Sequence, residues 1–569
     1  MLAEQAHCFP FQSRGWYTRT RKFVRQKGST RMEQERISVP ALNPFAKEYI
    51  SGSKQTGGFF DYEPFSQQSF QQRAEEVKKR VFKRDELAQV IRQYMEPYSI
   101  TPETEHSLEK LKDPSSVVVI GGQQAGLLTG PLYSIHKIIS ILHVAKEQEE
   151  KLGIPVVPVF WIAGEDHDLL EINHVFVEQK GNVQKIGYPE RFVKKQAASE
   201  TIYKKETMES WVQSVFSALR ETQHTNQLLS DLQQAIRKSE TFTEFFAFLT
   251  SAFFAKYGLL LIDAADPALR QLEVPFFKQL ITENEALTER LKQSQKKIEE
   301  QGFKPAIETG EHPAHLFIIE DGERHLLEKE SGLYVSKSGR TYTEAELLQL
   351  LESSPESFSN NVVTRPLMQE WLFPTVAFIA GPGEIAYWAE LKEAFAHFNM
   401  KMPIVVPRVN ITIIDRDVAG ILQEVNISAS RAVQYGVQDE RNAYLDSIRD
   451  HHLHDLVAEI KRSLFDGYDR IEKQASSIHN GLLPLVEKNK KFHTRQLDVL
   501  IQKSDAVLAQ THEAAIARFD RVQSALRPDG LQERVWNIYP FLNEYGPDLI
   551  DELMGQSYVH DGSHYLLYM

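Results

Sequence analysis

Apolar and polar positions follow a repeated order along the chain, in which a short apolar run leads through a glycine-rich or acidic loop into a helical pattern. The first unit starts with the strand-like run Val117–Ile120 and continues through a GGQQAG turn. A helix is predicted from about Pro131, because apolar residues recur there every three or four positions. The run Val156–Ile162 is the next predicted strand. This alternation is typical of a doubly wound parallel sheet.

Two further units repeat the same order and extend the predicted sheet. The second has the apolar run Leu259–Asp263, followed by a loop and a helical pattern. The third has the run Thr375–Ala380, a turn at 381–383 and a final strand, Ile404–Pro407. Three such units predict an α/β fold with a Rossmann-like parallel sheet core.

The segments between these units predict inserted subdomains. Residues 190–250 have a helical pattern, while residues 315–345 contain β-rich runs separated by Asp-Gly and Ser-Gly pairs. Such pairs favour tight turns, so the second insertion is predicted to be a set of hairpins. Residues 1–31 are basic and lack the continuous apolar stretch of a signal peptide. We interpret them as a disordered extension or a mis-assigned start, in preference to a targeting signal or a binding arm.

A different pattern begins at about Asp415, where long charged helical segments replace the alternation of strands and helices. Apolar residues there recur every seven positions, which is the spacing of a coiled-coil seam. The series consists of Leu464, Ile471, Ile478, Leu485, Phe492 and Val499, with Tyr468, Ala475 and Leu482 at the companion positions. Gly481 and Pro484 indicate either the tip of an antiparallel hairpin or a kink in one helix. An ordinary helical subdomain is the alternative interpretation.

These patterns divide the chain into four predicted regions. Residues 1–31 are the extension, 32–414 the Rossmann-like core with its helical and hairpin insertions, and 415–527 a helical coiled-coil domain. Residues 528–569 are aromatic enough to pack back onto the core. The coiled-coil arm is expected to join two copies of the chain in a homodimer.

Composition narrows the classes of function. The 569 residues carry a net charge of −13, which argues against a general nucleic-acid surface because binding to phosphate backbones depends on Lys and Arg. No apolar run reaches the roughly 18–20 residues of a membrane span. Cys8 is the only cysteine, so a disulfide framework and a cysteine-rich metal site are both excluded. We therefore expect a cytoplasmic protein in a reducing compartment, with no nucleic-acid or membrane partner.

In an open parallel sheet, ligands bind at the carboxyl ends of the strands, so loops 121–130, 163–173, 264–267 and 381–384 are predicted to share one rim. The N–H groups of the first loop, at the start of a helix, are suited to binding an anion. Its candidate binding residues are Gly122, Gln123, Gln124, Gly126, Thr129 and Gly130. The turn lacks both the Lys-Ser/Thr pair of a P-loop and the G-x-G-x-x-G signature, which argues against ordinary P-loop chemistry.

Four ionisable residues in succession follow the second predicted strand: Glu165, Asp166, His167 and Asp168. Such a cluster can bind a substrate ammonium group, act as a general base, or shift the pKa of one member through repulsion between like charges. These four are the candidate catalytic residues, and Asn173 in the same loop is a candidate binding residue. A solvated, helix-capping turn is the alternative. Metal ligation by His167, Asp168 and His174 can be drawn, but one loop lacks a compact metal-site pattern, so no metal ligand is assigned.

Further candidate binding residues lie near the third unit: Asn361, Arg365, Gly381, Gly383, Glu384, Tyr387 and Arg408. Each arginine can pair with a substrate carboxylate through two parallel hydrogen bonds, and an internal salt bridge is the alternative. Gly381 and Gly383 form a second glycine turn that opens a helix. Lys137, one turn into the first helix, is interpreted as a surface cation in preference to a phosphate ligand.

Three segments carry a resemblance to one enzyme family: VVIGGQQAGLLTGPLYSIHKIISILHVAKEQEEKLGIPVVPVFWIAGEDHD over 118–168, SNNVVTRPLMQEWLFPTVAFIAGPGEIAYWAELKEAF over 359–395, and MPIVVPRVNITI over 402–413. In these segments, and in order from about Met32 to the C-terminus, the chain closely resembles the cysteine-adding enzymes of bacillithiol biosynthesis. The resemblance implies ligation of L-cysteine to the amine of glucosaminyl-malate, in the last step of that pathway. The malate group is then an expected partner of the arginines.

Formation of that amide requires a leaving group on the cysteine carboxylate. ATP or another adenine nucleotide, with or without Mg²⁺, is the expected source, through an acyl-adenylate or an acyl-phosphate. No structural metal is expected.

Two other functions remain open on the residues alone. A nucleotide-sugar transferase or hydrolase could use the same rim, and it would bind a sugar nucleotide without needing cysteine. A non-catalytic scaffold could recruit partners through the coiled coil, and deletion of residues 440–526 would then abolish its function. The ionisable residues beside a glycine-rich rim favour an enzyme.

Overall fold

A computed structural model describes residues 32–179, 181–192 and 194–569 of the chain. At its centre is a five-stranded parallel sheet. In spatial order the strands are Ile404–Pro407, Thr375–Ala380, Val117–Gln123, Val156–Ile162 and Leu260–Asp263. The predicted Rossmann-like core is confirmed. The predicted extension, residues 1–31, lies outside the described residues.

The sheet forms from these segments because each is an apolar run that can be buried on both faces. Every residue of Val156–Ile162 and of Thr375–Ala380 is buried. The helix Leu132–Leu152 connects the strands Val117–Gln123 and Val156–Ile162 and packs against both. It ends at Gly153, whose φ of +66° forms a left-handed cap. Because the strands are parallel, the loops that follow them meet at one edge of the sheet.

Helices with apolar stripes pack against this sheet. In Arg84–Met95, for example, Leu87, Ile91 and Met95 share one buried face. No helix among the described residues is both long and apolar enough to cross a membrane. The helices of this part of the fold are Pro44–Ile50, Lys54–Gly57, Gln67–Val77, Arg84–Met95, Pro102–Lys112, Leu127–Thr129, Leu132–Leu152, Leu169–Ile172, Pro267–Thr282, Asn284–Glu300, Glu344–Ser353, Pro355–Ser357, Thr364–Leu372, Pro382–Trp388 and Lys392–His397.

Two insertions lie between the strands, as predicted. The first contains an antiparallel hairpin, His174–Gln179 with Asn182–Gly187, and helices at Lys205–Ser217, Thr225–Lys238, Phe242–Phe254 and Ala255–Tyr257. The second is an antiparallel sheet, and its turns at Asp321-Gly322 and Ser331-Gly332 have positive φ at both positions, which is the geometry of tight hairpin turns. Its strands are Pro313–Glu320, Glu323–Glu330, Leu333–Ser336, Thr341–Tyr342 and Phe358–Asn360.

The C-terminal segment returns to the core and completes a three-stranded sheet. The strand His564–Tyr568 lies between Glu33–Ile37, with which it is antiparallel, and Asn410–Ile414, with which it is parallel. Trp536 and Tyr539 are buried against the main core. The aromatic tail thus packs on the core, and this packing carries residues 561–564 to the edge of the parallel sheet.

The region after Asn410–Ile414 is helical and projects an antiparallel pair of long helices, His451–Ile478 and Leu483–Thr511. Tyr468 hydrogen-bonds His493, and the hairpin tip includes the short helix Asn480–Leu482. The hairpin alternative, rather than the kinked helix, is the observed one. The remaining helices are Arg416–Glu424, Ala429–Tyr435, Gln438–Ser447, Glu513–Leu526, Gln532–Val535, Tyr539–Tyr545 and Leu549–Met554.

The seven-residue apolar series does not form the seam inside this hairpin, which corrects the sequence-based assignment. Tyr468 and Ala475, at the companion positions, are buried between the helices. Several members of the series itself are exposed, with Ile471 at 50%, Leu485 at 56% and Phe492 at 57% exposure. The hairpin therefore uses one apolar stripe internally and leaves a second stripe at its surface.

Candidate functional site

A cleft of about 1220 Å³ lies at the edge of the parallel sheet where the carboxyl ends of the strands meet. The loops after Gln123, Ile162 and Ala380 line it, as predicted, whereas residues 264–267 do not. Segment 38–51, the hairpin insertion and the C-terminal segment complete its walls. The cleft is thus built by the parallel sheet together with parts of the chain that are far apart in sequence.

The structure brings many of the predicted site residues together in this cleft. The group combines carboxylates, an imidazole, guanidinium groups and glycine backbone, so acidic and basic chemistry share one volume. The predicted residues that line the cleft are Gly122, Gln123, Gln124, Glu165, Asp166, His167, Asn361, Arg365, Gly381, Gly383, Glu384, Tyr387 and Arg408.

Five predicted residues lie outside the cleft: Gly126, Thr129, Gly130, Asp168 and Asn173. Gly126 and Gly130 pack backbone to backbone, since a Cβ on Gly126 would lie 2.6 Å from Gly130 Cα. Thr129 is buried, and its hydroxyl donates to the Leu128 carbonyl oxygen at 2.6 Å. The N–H of Leu132, at the start of the helix, donates to Trp536 O at 2.8 Å. This part of the turn is closed by internal contacts, so the geometry does not support the predicted anion cradle there.

Asp168 and Asn173 flank a short helix on the outer side of the acidic loop. Asp168 is exposed and precedes the helix Leu169–Ile172. The backbone carbonyl of Asn173 accepts a hydrogen bond from Tyr188 N at 2.7 Å. Both positions therefore belong to the connection with the following hairpin.

Glu165 forms a buried ion pair at the base of the acidic loop. Its Oε2 lies 2.5 Å from Arg270 Nη2 and accepts hydrogen bonds from Ser359 Oγ at 2.8 Å and Asn360 N at 3.0 Å. Arg270 also pairs with Glu273 at 2.5 Å, and burial raises the pKa of Glu273 to about 7. Glu165 therefore ties the acidic loop to the hairpin insertion, and its Oε2 is engaged by protein groups.

Asp166 and His167 face the cleft beside Arg324. Asp166 Oδ2 accepts from Gln124 Nε2 at 2.7 Å, and Arg324 Nη1 donates to His167 Nδ1 at 3.1 Å. Because a guanidinium can only donate, the ring proton of the neutral imidazole is on Nε2. Burial and the charge of Arg324 lower the pKa of His167, so the neutral form predominates at pH 7. A neutral imidazole in the cleft can take part in proton transfer.

Lys137 lies at the floor of the cleft, and its predicted surface position is wrong. The residue is 1% exposed. Its Nζ donates to Gly122 O at 2.6 Å and lies 2.5 Å from Glu384 Oε2. Burial lowers the pKa of Lys137 while Glu384 opposes that shift. Glu384 Oε2 in turn accepts from Gly381 N at 2.7 Å, so Lys137 joins the turns after two different strands.

Two arginines flank this lysine and make this end of the cleft cationic. Arg408 donates to Asn410 Oδ1 at 2.7 Å and lies 3.7 Å from Glu533, and its guanidinium faces the ring of Tyr133. Arg365 donates to the hydroxyl of Tyr387. Burial raises the pKa of Tyr387 to about 12, so this phenol is neutral at pH 7. Against the two carboxylates of Glu384 and Glu533, the three cations Lys137, Arg365 and Arg408 leave an excess of positive charge, which suits an anionic ligand.

Two known protein-family models match this chain, one over its Rossmann-like part and one over its C-terminal part. The family described as "Bacillithiol biosynthesis BshC, N-terminal Rossmann-like domain" matches residues 32–409, and "Bacillithiol biosynthesis BshC, C-terminal coiled-coil domain" matches residues 411–569. The chain belongs to the BshC family. A relative from Bacillus licheniformis, named "Putative cysteine ligase BshC", is 41% identical over 535 residues, covering 94% of this chain and 99% of its own. A relative of the same name from Bacillus cytotoxicus is 41% identical over 538 residues, covering 94% and 100%.

Several cleft residues of this BshC-family chain were not predicted from its sequence. They come from segments that were assigned to insertions, to the tail or to the apolar core. They are Tyr133, Lys137, Trp161, Arg324, Asn360, Asn410, Glu533, Arg534 and His564. For Lys137 a signal existed, because it lies within a helix that is apolar on nearly all sides, and such a helix is buried.

Among the described residues no group of three or more His, Cys, Asp or Glu side chains is arranged to hold a metal ion.

Gly164 directly precedes Glu165 in the acidic loop, and the structure leaves no room there for a side chain. A Cβ there would collide with Ser199 Oγ and with the carboxylate of Asp263, which are hydrogen-bonded to each other. Overpacking of this kind costs about 1–3 kcal/mol, so we expect Gly164→Ala to lower the free energy of unfolding by that amount in urea denaturation. Gly420→Ala is the matched control, because nothing lies within 4 Å of its added Cβ and the change is in a helix. Equal stability of both variants would contradict this packing.

Proposed function

We propose that the protein is a ligase that joins the carboxyl group of L-cysteine to the amine of glucosaminyl-malate, forming an amide in the last step of bacillithiol biosynthesis. The observation that carries the proposal is a single cleft in a BshC-family chain that combines a cationic end with a neutral imidazole. The names of the Bacillus relatives support cysteine as the substrate. We expect the reaction in the cytoplasm.

The cationic end is suited to the acceptor because glucosaminyl-malate carries carboxylates on its malate group. Arg408 and Arg365 are buried or half-buried, and guanidinium groups bind carboxylates through paired hydrogen bonds. Lys137 adds a third cation close to the turn at Gly381. We propose that this end binds the anionic groups of the substrates.

Amide formation from a carboxylate requires a leaving group, and we propose that ATP supplies it, with Mg²⁺ as its usual counterion. Lys137 and Arg365 are the residues that would hold its phosphate groups. His167, with its lowered pKa, would accept the proton that the attacking ammonium group must lose. Asp166, bonded to Gln124 and next to His167, would hold this part of the loop in place.

The direct test is an assay of the purified full-length protein with L-cysteine and glucosaminyl-malate, with and without MgATP, followed by mass spectrometry. We expect the amide product only when ATP is present, and the release of AMP or ADP distinguishes an acyl-adenylate from an acyl-phosphate. Consumption of a sugar nucleotide without any need for cysteine would instead support a transferase or hydrolase. Loss of cellular bacillithiol on deletion of residues 440–526, but not on substitution of cleft residues, would support a scaffold.

We also propose that the exposed stripe of the hairpin joins two copies in a homodimer. Ile471, Leu485 and Phe492 are each at least half exposed, and contiguous apolar patches on a protein surface mark interaction sites. We expect Ile471→Glu with Phe492→Glu to convert a dimer into a monomer in light scattering coupled to gel filtration. The control is Gln474→Glu with Gln502→Glu, which adds the same charge at exposed polar positions. A dimer that survives the first pair of substitutions would contradict this interface.

A further inference from the structure

The side chain of Asn360 is buried in the wall of the cleft without a partner. The residue is 1% exposed and lines the cleft. Neither its amide nitrogen nor its amide oxygen has a hydrogen-bond partner among the described residues. A buried amide that lacks partners costs about 1–3 kcal/mol for each unsatisfied group. Such a cost is understandable if a ligand satisfies both atoms.

The backbone holds Asn360 in a fixed position. Its N–H donates to Glu165 Oε2 at 3.0 Å, and its carbonyl oxygen accepts from Arg324 Nη2 at 2.6 Å. Its strand pairs with Pro313–Glu320, where Asn360 is opposite Leu316. Arg324 is itself held over the ring of Phe317, with 3.7 Å between the guanidinium carbon and the ring centroid. The amide is therefore presented by a rigid frame, as ligand-binding groups usually are.

Trp161 provides a second unpartnered polar group on the same cleft. The residue is fully buried, lines the cleft, and its indole N–H has no acceptor among the described residues. Gly122 lies against this residue, since a Cβ there would be 2.7 Å from Trp161 O and 3.3 Å from Trp161 Cδ1. A side chain at position 122 would therefore collide with Trp161. Together, Asn360 and Trp161 offer two donor groups, the amide NH₂ and the indole N–H, and one acceptor oxygen.

The charges around these two residues are nearly balanced, in contrast to the cationic end. Glu165 is paired with Arg270, and Arg324 lies 3.8 Å from Asp166. A ligand without net charge is therefore favoured here, and it must offer both an acceptor and a donor. A zwitterionic α-amino acid meets these conditions, because its carboxylate can accept from the two N–H groups and its ammonium group can donate to the Asn360 oxygen.

We infer that Asn360 and Trp161 form the subsite for the amino-acid substrate, and that the anionic acceptor binds at the cationic end, at Arg408. This inference rests on the proposed function and identifies which substrate each end of the cleft receives. An activated carboxyl group must be kept away from water. An amino acid bound against the buried residues Asn360 and Trp161 would be shielded in this way.

The first test uses the wild-type protein and measures binding of small analogues by isothermal titration calorimetry. L-Cysteine, L-serine and L-alanine share the ammonium and carboxylate groups and are expected to compete for one site. Cysteamine lacks the carboxylate and 3-mercaptopropionate lacks the ammonium group, so each is expected to bind at least about tenfold more weakly. Binding of 3-mercaptopropionate or cysteamine as tight as that of L-cysteine would overturn the inference.

The second test uses Asn360→Leu, which keeps the size of the side chain and removes its hydrogen-bonding groups. We expect its dissociation constant for L-cysteine to rise at least about tenfold, with the KM for glucosaminyl-malate unchanged. Trp161→Phe keeps an aromatic ring and removes the indole N–H, and it is also expected to raise the dissociation constant for L-cysteine. Gln369→Leu is the matched control, because Gln369 is also buried with both amide atoms unpartnered but does not line the cleft.

The outcomes separate this inference from the proposed function. Weaker cysteine binding by Asn360→Leu, in a protein that forms no amide, would support the subsite and contradict the ligase. Amide formation by the wild-type protein, with Asn360→Leu and Trp161→Phe affecting only the acceptor, would support the ligase and overturn the subsite. Unchanged binding of both substrates by these variants, or an effect of Gln369→Leu as large as theirs, would also overturn it.

Discussion

Lys137→Met is expected to lower the rate of amide formation on the order of a hundredfold or more, which is the effect of removing one preorganised hydrogen-bond donor from other active sites. Lys137 is fully buried at the floor of the cleft, and its Nζ lies 2.5 Å from Glu384. Methionine matches its length and removes the charge. The initial rate of product formation, measured by mass spectrometry at saturating substrates, tests this expectation.

Two further variants distinguish substrate binding from charge balance. Lys151→Met removes a lysine from the exposed end of the same helix and is expected to leave the rate unchanged. In the double variant Lys137→Met with Glu384→Gln, the unpaired carboxylate is also removed. If Lys137 acts on a substrate, the double variant stays as inactive as the single one. Recovery of activity in the double variant would show that Lys137 serves only to neutralise Glu384.

Arg270→Met is expected to destabilise the fold by about 3–5 kcal/mol, the usual effect of removing one partner from a buried ion pair. Arg270 is 2% exposed and pairs with both Glu165 and Glu273, so its loss leaves two carboxylates in the interior without a cation. Urea denaturation of the wild-type and variant proteins measures the difference. Arg290→Met, at an exposed position, is the control and is expected to change stability by less than about 0.5 kcal/mol.

The destabilisation by Arg270→Met should also depend on pH. Burial already raises the pKa of Glu273 to about 7 in the presence of the arginine. Arg270 lowers the pKa of Glu273, so without that cation the folded state binds a proton at Glu273 still more readily than the unfolded state, and stability is gained as the pH falls. We therefore expect a larger loss at pH 8 than at pH 5.5. A loss that is equal at both pH values would contradict the placement of two unpaired carboxylates in the interior.

The parallel sheet was predictable because its strands are continuous apolar runs, each followed by a loop and a helix. Val117–Gln123 and Val156–Ile162 can be recognised without any knowledge of their partners. The seven-residue period also indicated the coiled-coil hairpin. It did not indicate which of the two apolar stripes would be buried between the helices. That choice depends on which stripe faces the other helix, and the spacing is the same for both.

The site was predictable only where its residues follow the strands directly. Asp166 and Glu384 are of this kind, because the carboxyl ends of parallel strands meet at one edge. Arg324 and Asn360 reach the cleft through pairing of hairpin strands, and the Glu165–Arg270 pair joins residues more than a hundred positions apart. Local patterns carry no information on such contacts. The anion site predicted at Gly126–Gly130 is not supported, because these glycines allow close packing of the backbone instead of binding a ligand.

The most direct test of the central claim follows the two carboxylate oxygens of L-cysteine during ligation. Cysteine labelled with ¹⁸O at both oxygens is incubated with the purified protein, glucosaminyl-malate and MgATP, and the products are analysed by mass spectrometry. If the carboxyl group is activated by ATP and then attacked by the amine, the amide retains one labelled oxygen, and AMP or inorganic phosphate carries the other. Formation of the amide with no label in AMP or in inorganic phosphate would contradict ATP activation, and so would the absence of any amide.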